Sequence, residues 1–310
     1  MMPSLRRQQG IAIIMAVAIA ALVAAIATFM AFRQNLWIRQ VENQHDLAQA
    51  RTVALAAVDL SRLTLQDDAR QNQTSNATQA WNIPIPNLPV EQGNAGGQIL
   101  DVQGRFNINN LVNNGGLISE PDLESFKRLL TAMGMSAELA PAVVDWIDAG
   151  SESRLPGGAK DQYYLALDPP RRAANRPMFD VAELAMVKGF DADSAKRLAP
   201  YLIALPQHTT VNVNFAPPEV LVAMIPGLDS AAAQAIAKRA KTQPFASLDD
   251  FRKLLPGSLG DHVQSDYMGV ETHYFFSDVD ARFGRVTVSY RALLERNGAA
   301  LPRVVWLRRR

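Results

Sequence analysis

The pattern of apolar and polar positions begins with a long uncharged run. Residues 11–32 contain no charged side chain, Arg33 follows them, and Arg6 and Arg7 precede them. In a helix, these residues would span ~33 Å, about the hydrocarbon core of a bilayer. Because basic residues favour the cytoplasmic side, the pattern predicts a single transmembrane helix over residues 11–32, with the rest of the chain exported.

The apolar pattern then becomes one-sided. Residues 39–70 contain neither Gly nor Pro, and apolar residues recur there at helical spacing, among them Leu47, Ala50, Ala54 and Val58. Polar and charged residues occupy the other positions. We therefore predict one continuous helix from about Ile11 to Asp68, whose amphipathic part (residues 33–70) packs on a globular head.

The next segments lose the helical pattern and regain it later. Residues 71–97, rich in Asn, Gln, Gly and Pro, predict a linker or long loop, and residues 98–109 alternate like a strand. We assign residues 71–115 to a loop and the first strands of the head. Residues 116–205 predict a helical domain, with helices over 120–133, 138–149, 182–187 and 193–204, and little regular structure over 150–170. Ser119 caps the first of these helices, which ends at Gly134.

An internal repeat lies in the second half of the chain. Residues 185–191 and 223–229 align, and an Ala-rich helix follows each. Gly189 and Gly227 suit a left-handed turn position, and Asp191 and Asp229 suit the caps of the following helices. The pattern predicts two helix–hairpin–helix units about forty residues apart.

The C-terminal region predicts strands. Residues 270–276, 286–291 and 302–307 carry the strand pattern, with turns at 280–284 and 297–298. We expect an antiparallel sheet here, packed against the amphipathic part of the long helix. Residues 206–310 would thus hold the second hairpin unit and the sheet, and the fold class is α+β.

Composition excludes several classes of protein. An apolar fraction of 48% with 20% charged residues is typical of a globular chain, and a net charge of +1 provides no field to attract nucleic acid. The chain has no Cys, which removes disulfides, thiolate metal sites and a Cys nucleophile. The four His residues are scattered, and no motif positions a catalytic nucleophile. We predict that the protein is not an enzyme.

The start of the chain has a recognisable arrangement. Gly10 lies directly before the apolar run, with basic and amide residues upstream. This resembles the class III leader of type IV pilins and type II secretion pseudopilins, which implies that residues 1–10 are a leader cleaved by prepilin peptidase and that Ile11 is then N-methylated. A plain membrane anchor explains the same stretch, and a signal peptide cleaved near Ala27 is a further alternative.

Position 15 departs from most of that family, in which the fifth mature residue is usually Glu; here it is Met15. A carboxylate in mid-bilayer costs about 2.5–3.5 kcal/mol on insertion scales. In pilins, the N-terminal amine of the neighbouring subunit is thought to neutralise it. The first subunit of a fibre has no such neighbour, so Met15 favours a tip subunit. The alternative is that Met15 is one more apolar residue of a membrane anchor.

Four segments resemble the general secretion pathway protein K family, the minor pseudopilin K of type II secretion. They are residues 101–111 (Asp-Val-Gln-Gly-Arg-Phe-Asn-Ile-Asn-Asn-Leu), 145–148 (Asp-Trp-Ile-Asp), 158–177 and 210–214 (Thr-Val-Asn-Val-Asn). The resemblance implies a pilin-like fold with an inserted SAM-like helical domain. It also implies a place at the tip of the pseudopilus in the inner membrane and periplasm. The implied partners are minor pseudopilins I and J, then minor pseudopilin H, the major pseudopilin and the assembly platform.

The same resemblance raises calcium as a cofactor, because the family's helical domain binds this ion. Candidate ligands are the acids around the Asp-Trp-Ile-Asp segment, namely Asp145, Asp148, Glu152, Asp161 and Asp168. Relatives commonly have Asp and Glu where this chain has Gly150 and Lys160, which removes one ligand and adds a cation. Helix capping and surface solvation explain the acids equally well, so calcium stays open.

Two other functions compete with this interpretation. The hairpin units suit a membrane-anchored DNA-uptake or type IV pilus protein, with Lys238, Arg239 and Lys241 near the DNA backbone. An acid, however, occupies the turn position where DNA-binding hairpins often have a second glycine, and a carboxylate beside a phosphate is unfavourable. We therefore expect no nucleic-acid partner. An anchored periplasmic hydrolase is the other alternative.

Overall fold

A computed structural model describes residues 6–113 and 115–310, with residues 6–10 described by their backbone only. The helices and strands, in chain order, are α1 (Arg6–Gln71), β1 (Ile85–Val90), β2 (Gly93–Asp101), β3 (Phe106–Asn107), α2 (Glu120–Ala132), α3 (Ala140–Ile147), α4 (Asp161–Leu165), α5 (Ala192–Leu198), β4 (Leu202–Ile203), β5 (Val211–Asn212), α6 (Pro218–Met224), α7 (Ser230–Ala240), α8 (Leu248–Leu254), β6 (Met268–Gly269), β7 (Tyr274–Phe283), β8 (Val286–Glu295) and β9 (Arg303–Arg309).

Helix α1 confirms the predicted continuous helix and extends slightly beyond it at both ends. Every side chain from Ile11 to His45 is exposed. Within the described residues, the helical stretch Ile11–Gln71 is long and apolar enough to cross a membrane, with a mean hydropathy of 2.8 over its most apolar window. The exposed apolar half is the predicted anchor. Residues 1–5 of the predicted leader lie outside the described part of the chain.

The second half of α1 packs on a five-stranded antiparallel sheet with strand order β1-β2-β7-β8-β9. Ala50, Ala54 and Val58 are buried against Phe275 and Leu294 on the sheet. Two alanines on the contact face let the helix lie close to the strands, and each fully buried large apolar side chain contributes ~1.5–3 kcal/mol. The predicted packing of the amphipathic part on a C-terminal sheet is confirmed.

The sheet is larger than the three strands we predicted. Strands β1 and β2 lie where we expected mainly a linker, because the glycines of β2 allow its neighbours to approach. A Cβ at Gly96 would lie 2.7 Å from the carbonyl oxygen of Pro86, and one at Gly97 would lie 2.8 Å from that of Asp278. The predicted turn at 280–284 is also wrong in extent, since β7 continues to Phe283 and only Gly284 (φ +51°) begins the turn.

The helical domain is inserted between two neighbouring strands. Asp101, the last residue of β2, pairs with Phe275 near the start of β7, so residues 102–273 leave and rejoin the sheet at one end. One hydrophobic cluster runs from Phe106 to Met268 and contains both hairpin units. The second unit therefore shares the core of the helical domain, although we predicted it with the head.

Within the insert, several predicted boundaries shift. Helix α2 begins after Ser119, as predicted, and the Ser119 side chain accepts a hydrogen bond from the Asp122 amide. The predicted helix 138–149 starts as a 3₁₀ turn at Ala137–Leu139 and ends at Ile147, and residues 181–186 form another 3₁₀ turn. The helix predicted to reach residue 204 ends at Leu198, because Leu202–Ile203 pair with β3 instead. The predicted strand 98–109 is interrupted after Asp101, and a 3₁₀ turn covers Ile108–Leu111.

Candidate functional site

The two hairpin turns have the predicted local geometry. Gly189 and Gly227 have φ angles of +83° and +86°. The carboxylate of Asp191 accepts a hydrogen bond from the Ser194 amide at 2.7 Å, and that of Asp229 accepts one from the Ala232 amide at 2.8 Å. The glycines and the capping acids therefore act as the repeat indicated.

The surroundings of these turns favour packing over DNA binding. A Cβ at Gly189 would lie 2.4 Å from a methyl carbon of Leu139, so this turn is pressed against another side chain. Lys238 and Arg239 lie in the last turn of α7, at the opposite end of that helix from the Gly227 turn. The Arg239 guanidinium lies 5.3 Å from the ring centre of Phe245. Lys238 and Arg239 are thus separated from the amides of the Gly227 turn by the length of α7.

The predicted processing and tip residues lie on the exposed part of α1. Ile11 and Met15 are 63% and 60% exposed, one helical turn apart, and Gly10 lies within the helical backbone. This placement leaves their apolar side chains free for lipid or for other helices. Cleavage after Gly10 and methylation of Ile11 stay predictions.

The five acidic candidates do not converge on one point. The side chains of Asp145 and Asp148, at the end of α3, are 0% and 9% exposed. Glu152 and Asp168 are exposed, and the carboxylate of Asp161 accepts a hydrogen bond from the Ala173 amide at 3.0 Å. Across residues 6–113 and 115–310, no group of three or more His, Cys, Asp or Glu residues is arranged to hold a metal ion.

Two cations neutralise the buried aspartates. Arg154 contacts Asp145 (Nη1 to Oδ1, 2.7 Å) and Asp148 (Nη2 to Oδ2, 3.0 Å), and its backbone amide donates to the second Asp145 oxygen at 3.0 Å. The Lys160 ammonium donates to the carbonyl oxygens of Asp145 at 2.7 Å and Asp148 at 2.5 Å. Its side chain is only 6% exposed. The carboxylates are therefore held by residues of the same loop.

The pKa shifts in this loop follow from burial and pairing. Burial alone would raise the pKa of Asp148, but hydrogen bonds from the Gly150 amide and Arg154, together with the Lys160 charge, lower it overall. Burial lowers the pKa of Lys160, against the attraction of Asp148 and Asp145. Burial would likewise lower the pKa of Arg154, but its two aspartate partners raise it. The pKa shifts of Asp148 and Arg154 therefore both favour the charged form of the side chain.

In this arrangement the oxygen donors do not fit a calcium ion. Both oxygens of Asp145 and one oxygen of Asp148 bond to Arg154, and Lys160 uses the two nearby carbonyls. Sequence reasoning identified Lys160 as a departure but missed Arg154. The sequence did contain a signal for Arg154: it is a basic residue that follows Asp145 and Asp148, the two acids at the end of an apolar helix, by fewer than ten positions.

Comparison with known proteins assigns the family. Two models described as type II secretion system (T2SS), protein K match residues 104–207 and 211–271, more than half of the chain. A type II secretion system protein K from Pseudomonas aeruginosa is 34% identical over 87% of this chain and 83% of its own length. The chain belongs to the type II secretion system protein K family.

Other relatives agree with this assignment. A protein K from Pectobacterium carotovorum subsp. carotovorum is 32% identical, with 94% of each chain covered. A crystal structure of the GspK–GspI–GspJ complex from the type 2 secretion system of enterotoxigenic Escherichia coli aligns with a TM-score of 0.74 and 22% identity, covering 87% of this chain and 99% of that chain. The α+β fold with a long apolar helix, an antiparallel sheet and an inserted helical domain is confirmed.

Two segments that carry the protein K resemblance meet at one buried junction. Gln103 donates to the Thr210 carbonyl at 3.0 Å and accepts from the backbone amides of His273 and Tyr274. Asn212 donates to the hydroxyl of Thr272 at 2.8 Å. These side chains join the inserted domain to the head at the point where the chain crosses between them.

Proposed function

We propose that this protein is the minor pseudopilin at the tip of the type II secretion pseudopilus. There it would initiate or cap assembly with minor pseudopilins I and J, for export of folded proteins across the outer membrane. Residues 11–32 would anchor it in the inner membrane after prepilin peptidase cleaves between Gly10 and Ile11, with the globular part in the periplasm. Minor pseudopilin H, the major pseudopilin and the assembly platform would be further partners.

The observation that carries this proposal is the position of the inserted domain. The domain docks just beyond the last turn of α1, where the Ser75 amide donates to the Val270 carbonyl at 2.8 Å. The Ser75 carbonyl accepts from the side-chain amides of Asn212 at 3.1 Å and Asn214 at 3.3 Å. The insert is thus attached at the end of the helix farthest from the apolar half.

This attachment point supports a position at the tip. In a fibre built on parallel helices, the space at the far end of one helix belongs to the heads of the next layer. A domain of about 170 residues (102–273) in that space would clash with the next layer. At the tip there is no such layer, so the insert is accommodated there.

The membrane helix supports the same position by a different argument. Met15 needs no charged partner, whereas a carboxylate at this depth costs about 2.5–3.5 kcal/mol unless a neighbour neutralises it. A first subunit has no earlier neighbour to do so. Sterics at one end of α1 and electrostatics at the other thus favour the tip independently.

Partnership with pseudopilins I and J draws on the solved relative, whose complex contains GspK, GspI and GspJ. The soluble half of α1 also presents exposed leucines, with Leu55, Leu60 and Leu63 44–50% exposed. Exposed apolar side chains of this kind suit packing against the helices of neighbouring subunits. The partners would therefore lie along α1 as well as against the head.

Immunogold labelling of assembled pseudopili tests the proposal. We expect label on the tagged intact protein only at fibre ends. A variant in which a short turn replaces residues 103–272 should label the shaft as well, because Asp101 and Phe275 are already paired. The intact protein and the shortened variant carry the same tag, inserted after Asn297, so the tag cannot account for a difference between them. Label along the shaft for the intact protein would refute the tip position.

A further inference from the structure

The loop after α3 contains its own cation. Lys160 occupies the position directly before α4, and its carbonyl accepts hydrogen bonds from the amides of Tyr163 and Tyr164 at 2.9 and 3.3 Å. The first turn of α4 therefore holds the Lys160 backbone. From this fixed point its side chain reaches the carbonyl oxygens of Asp145 and Asp148 at the end of α3.

Two glycines bring the loop close enough for this contact. Gly157 has φ +91°, and a Cβ there would lie 2.0 Å from the Glu138 carbonyl oxygen. A Cβ at Gly158 would lie 2.2 Å from the Arg154 carbonyl oxygen and 2.3 Å from Asp145 Oδ2. Only glycine allows this approach. The backbone thus closes over the aspartates from the side that carries Arg154 and Lys160.

The charges within this closed loop balance. The buried carboxylates of Asp145 and Asp148 face one guanidinium and one ammonium, which have only donors and no acceptor. A calcium ion would need the same carbonyl and carboxylate oxygens. It would also enter within a few ångströms of two cations, where like charges repel strongly in a poorly solvated site.

We propose that the Lys160 ammonium, together with Arg154, serves as the resident cation of this loop and replaces the calcium ion that the family resemblance implies. Two monovalent groups from the chain itself close the connection between α3 and α4. The stability of the inserted domain is then independent of calcium in the periplasm. This inference does not depend on the tip position.

Two measurements on the full chain in detergent micelles test the proposal. The first compares melting temperatures in CaCl₂ and in EGTA, with terbium luminescence as a direct binding probe. We expect the same melting temperature in both and no saturable terbium signal. A melting temperature that rises with CaCl₂ or falls with EGTA would overturn the proposal.

The second measurement compares Lys160→Met with the matched control Lys188→Met. Lys188 also donates to a carbonyl of this loop, that of Gly158 at 3.2 Å, but it is only half-buried. Removing one partner from a buried charged cluster should lower the melting temperature by roughly 6–15 °C, against ~3 °C or less for the control. Equal shifts for the two variants would show that Lys160 is not the cation that holds the loop.

Discussion

The ion pair between Arg296 and Asp68 should stabilise the attachment of α1 to the sheet more than any surface pair can. Arg296 Nη1 lies 2.8 Å from Asp68 Oδ2, and both side chains are 8% exposed. The other guanidinium nitrogen, Nη2, donates to the Ser75 hydroxyl and the Thr272 carbonyl at 2.7 and 2.9 Å. The guanidinium also lies 4.7 Å from the ring centre of Phe275.

Substituting Arg296→Met keeps much of the side-chain volume but leaves the Asp68 carboxylate without its charged partner. Breaking a buried pair in this way costs about 3–5 kcal/mol, because the remaining charge stays buried. We expect the free energy of unfolding to fall by that amount. The double variant with Asp68→Asn should recover about 1–3 kcal/mol of the loss, since no charge is then left alone.

The assay is urea unfolding of a fragment of residues 40–310, monitored by tryptophan fluorescence and circular dichroism. This fragment keeps every residue of the three hydrophobic clusters, since the side chains of residues 11–45 are exposed. Unfolding free energies come from linear extrapolation to zero urea.

Arg308→Met is the matched control. Arg308 also pairs with an aspartate, Asp180, at 3.1 Å and lies over an aromatic ring, but these two side chains are 46% and 54% exposed. Pairs of this kind contribute ~0–1 kcal/mol. If the free energy of unfolding falls by the same small amount in both arginine variants, burial does not set the strength of the Arg296–Asp68 pair and the reasoning is wrong.

Three further predictions follow from single residues. Burial raises the pKa of Asp101 to about 6, so between about pH 4 and about pH 6 this carboxyl group is protonated in the folded state and ionised in the unfolded state. The free energy of unfolding should therefore fall by about 3 kcal/mol as pH rises through this range, and Asp101→Asn should remove this pH dependence in urea unfolding measured at each pH. Gly189→Ala should lower the free energy of unfolding by clearly more than the ~1–2 kcal/mol expected for Gly134→Ala. Both glycines have positive φ, but only at Gly189 would the added Cβ collide with a neighbour, the Leu139 side chain. Intact-mass analysis of membrane-extracted protein should show an N-methylated chain beginning at Ile11; a chain beginning at Met1 would contradict the leader assignment.

Local patterns in the sequence were sufficient for the features that depend on neighbours in the chain. An uncharged run followed by one-sided helical spacing determines α1, because helical contacts recur every three to four residues. The left-handed glycines and capping acids of the hairpins are likewise local. The segments at residues 101–111 and 210–214 were specific enough to indicate the family by their residues alone.

Tertiary structure decided what depends on distant partners. The glycine-rich stretch around Gly96 has the composition of a loop, and it forms a strand only because β7, some 180 residues later, pairs with it. From the sequence alone, Asp145 and Asp148 could equally well be metal ligands, helix caps or solvated surface residues. Only the folded loop shows that Arg154 donates hydrogen bonds to their carboxylates and Lys160 to their backbone carbonyl oxygens. A residue's type states which partners it can bond, whereas the path of the backbone determines which partner arrives within 3 Å.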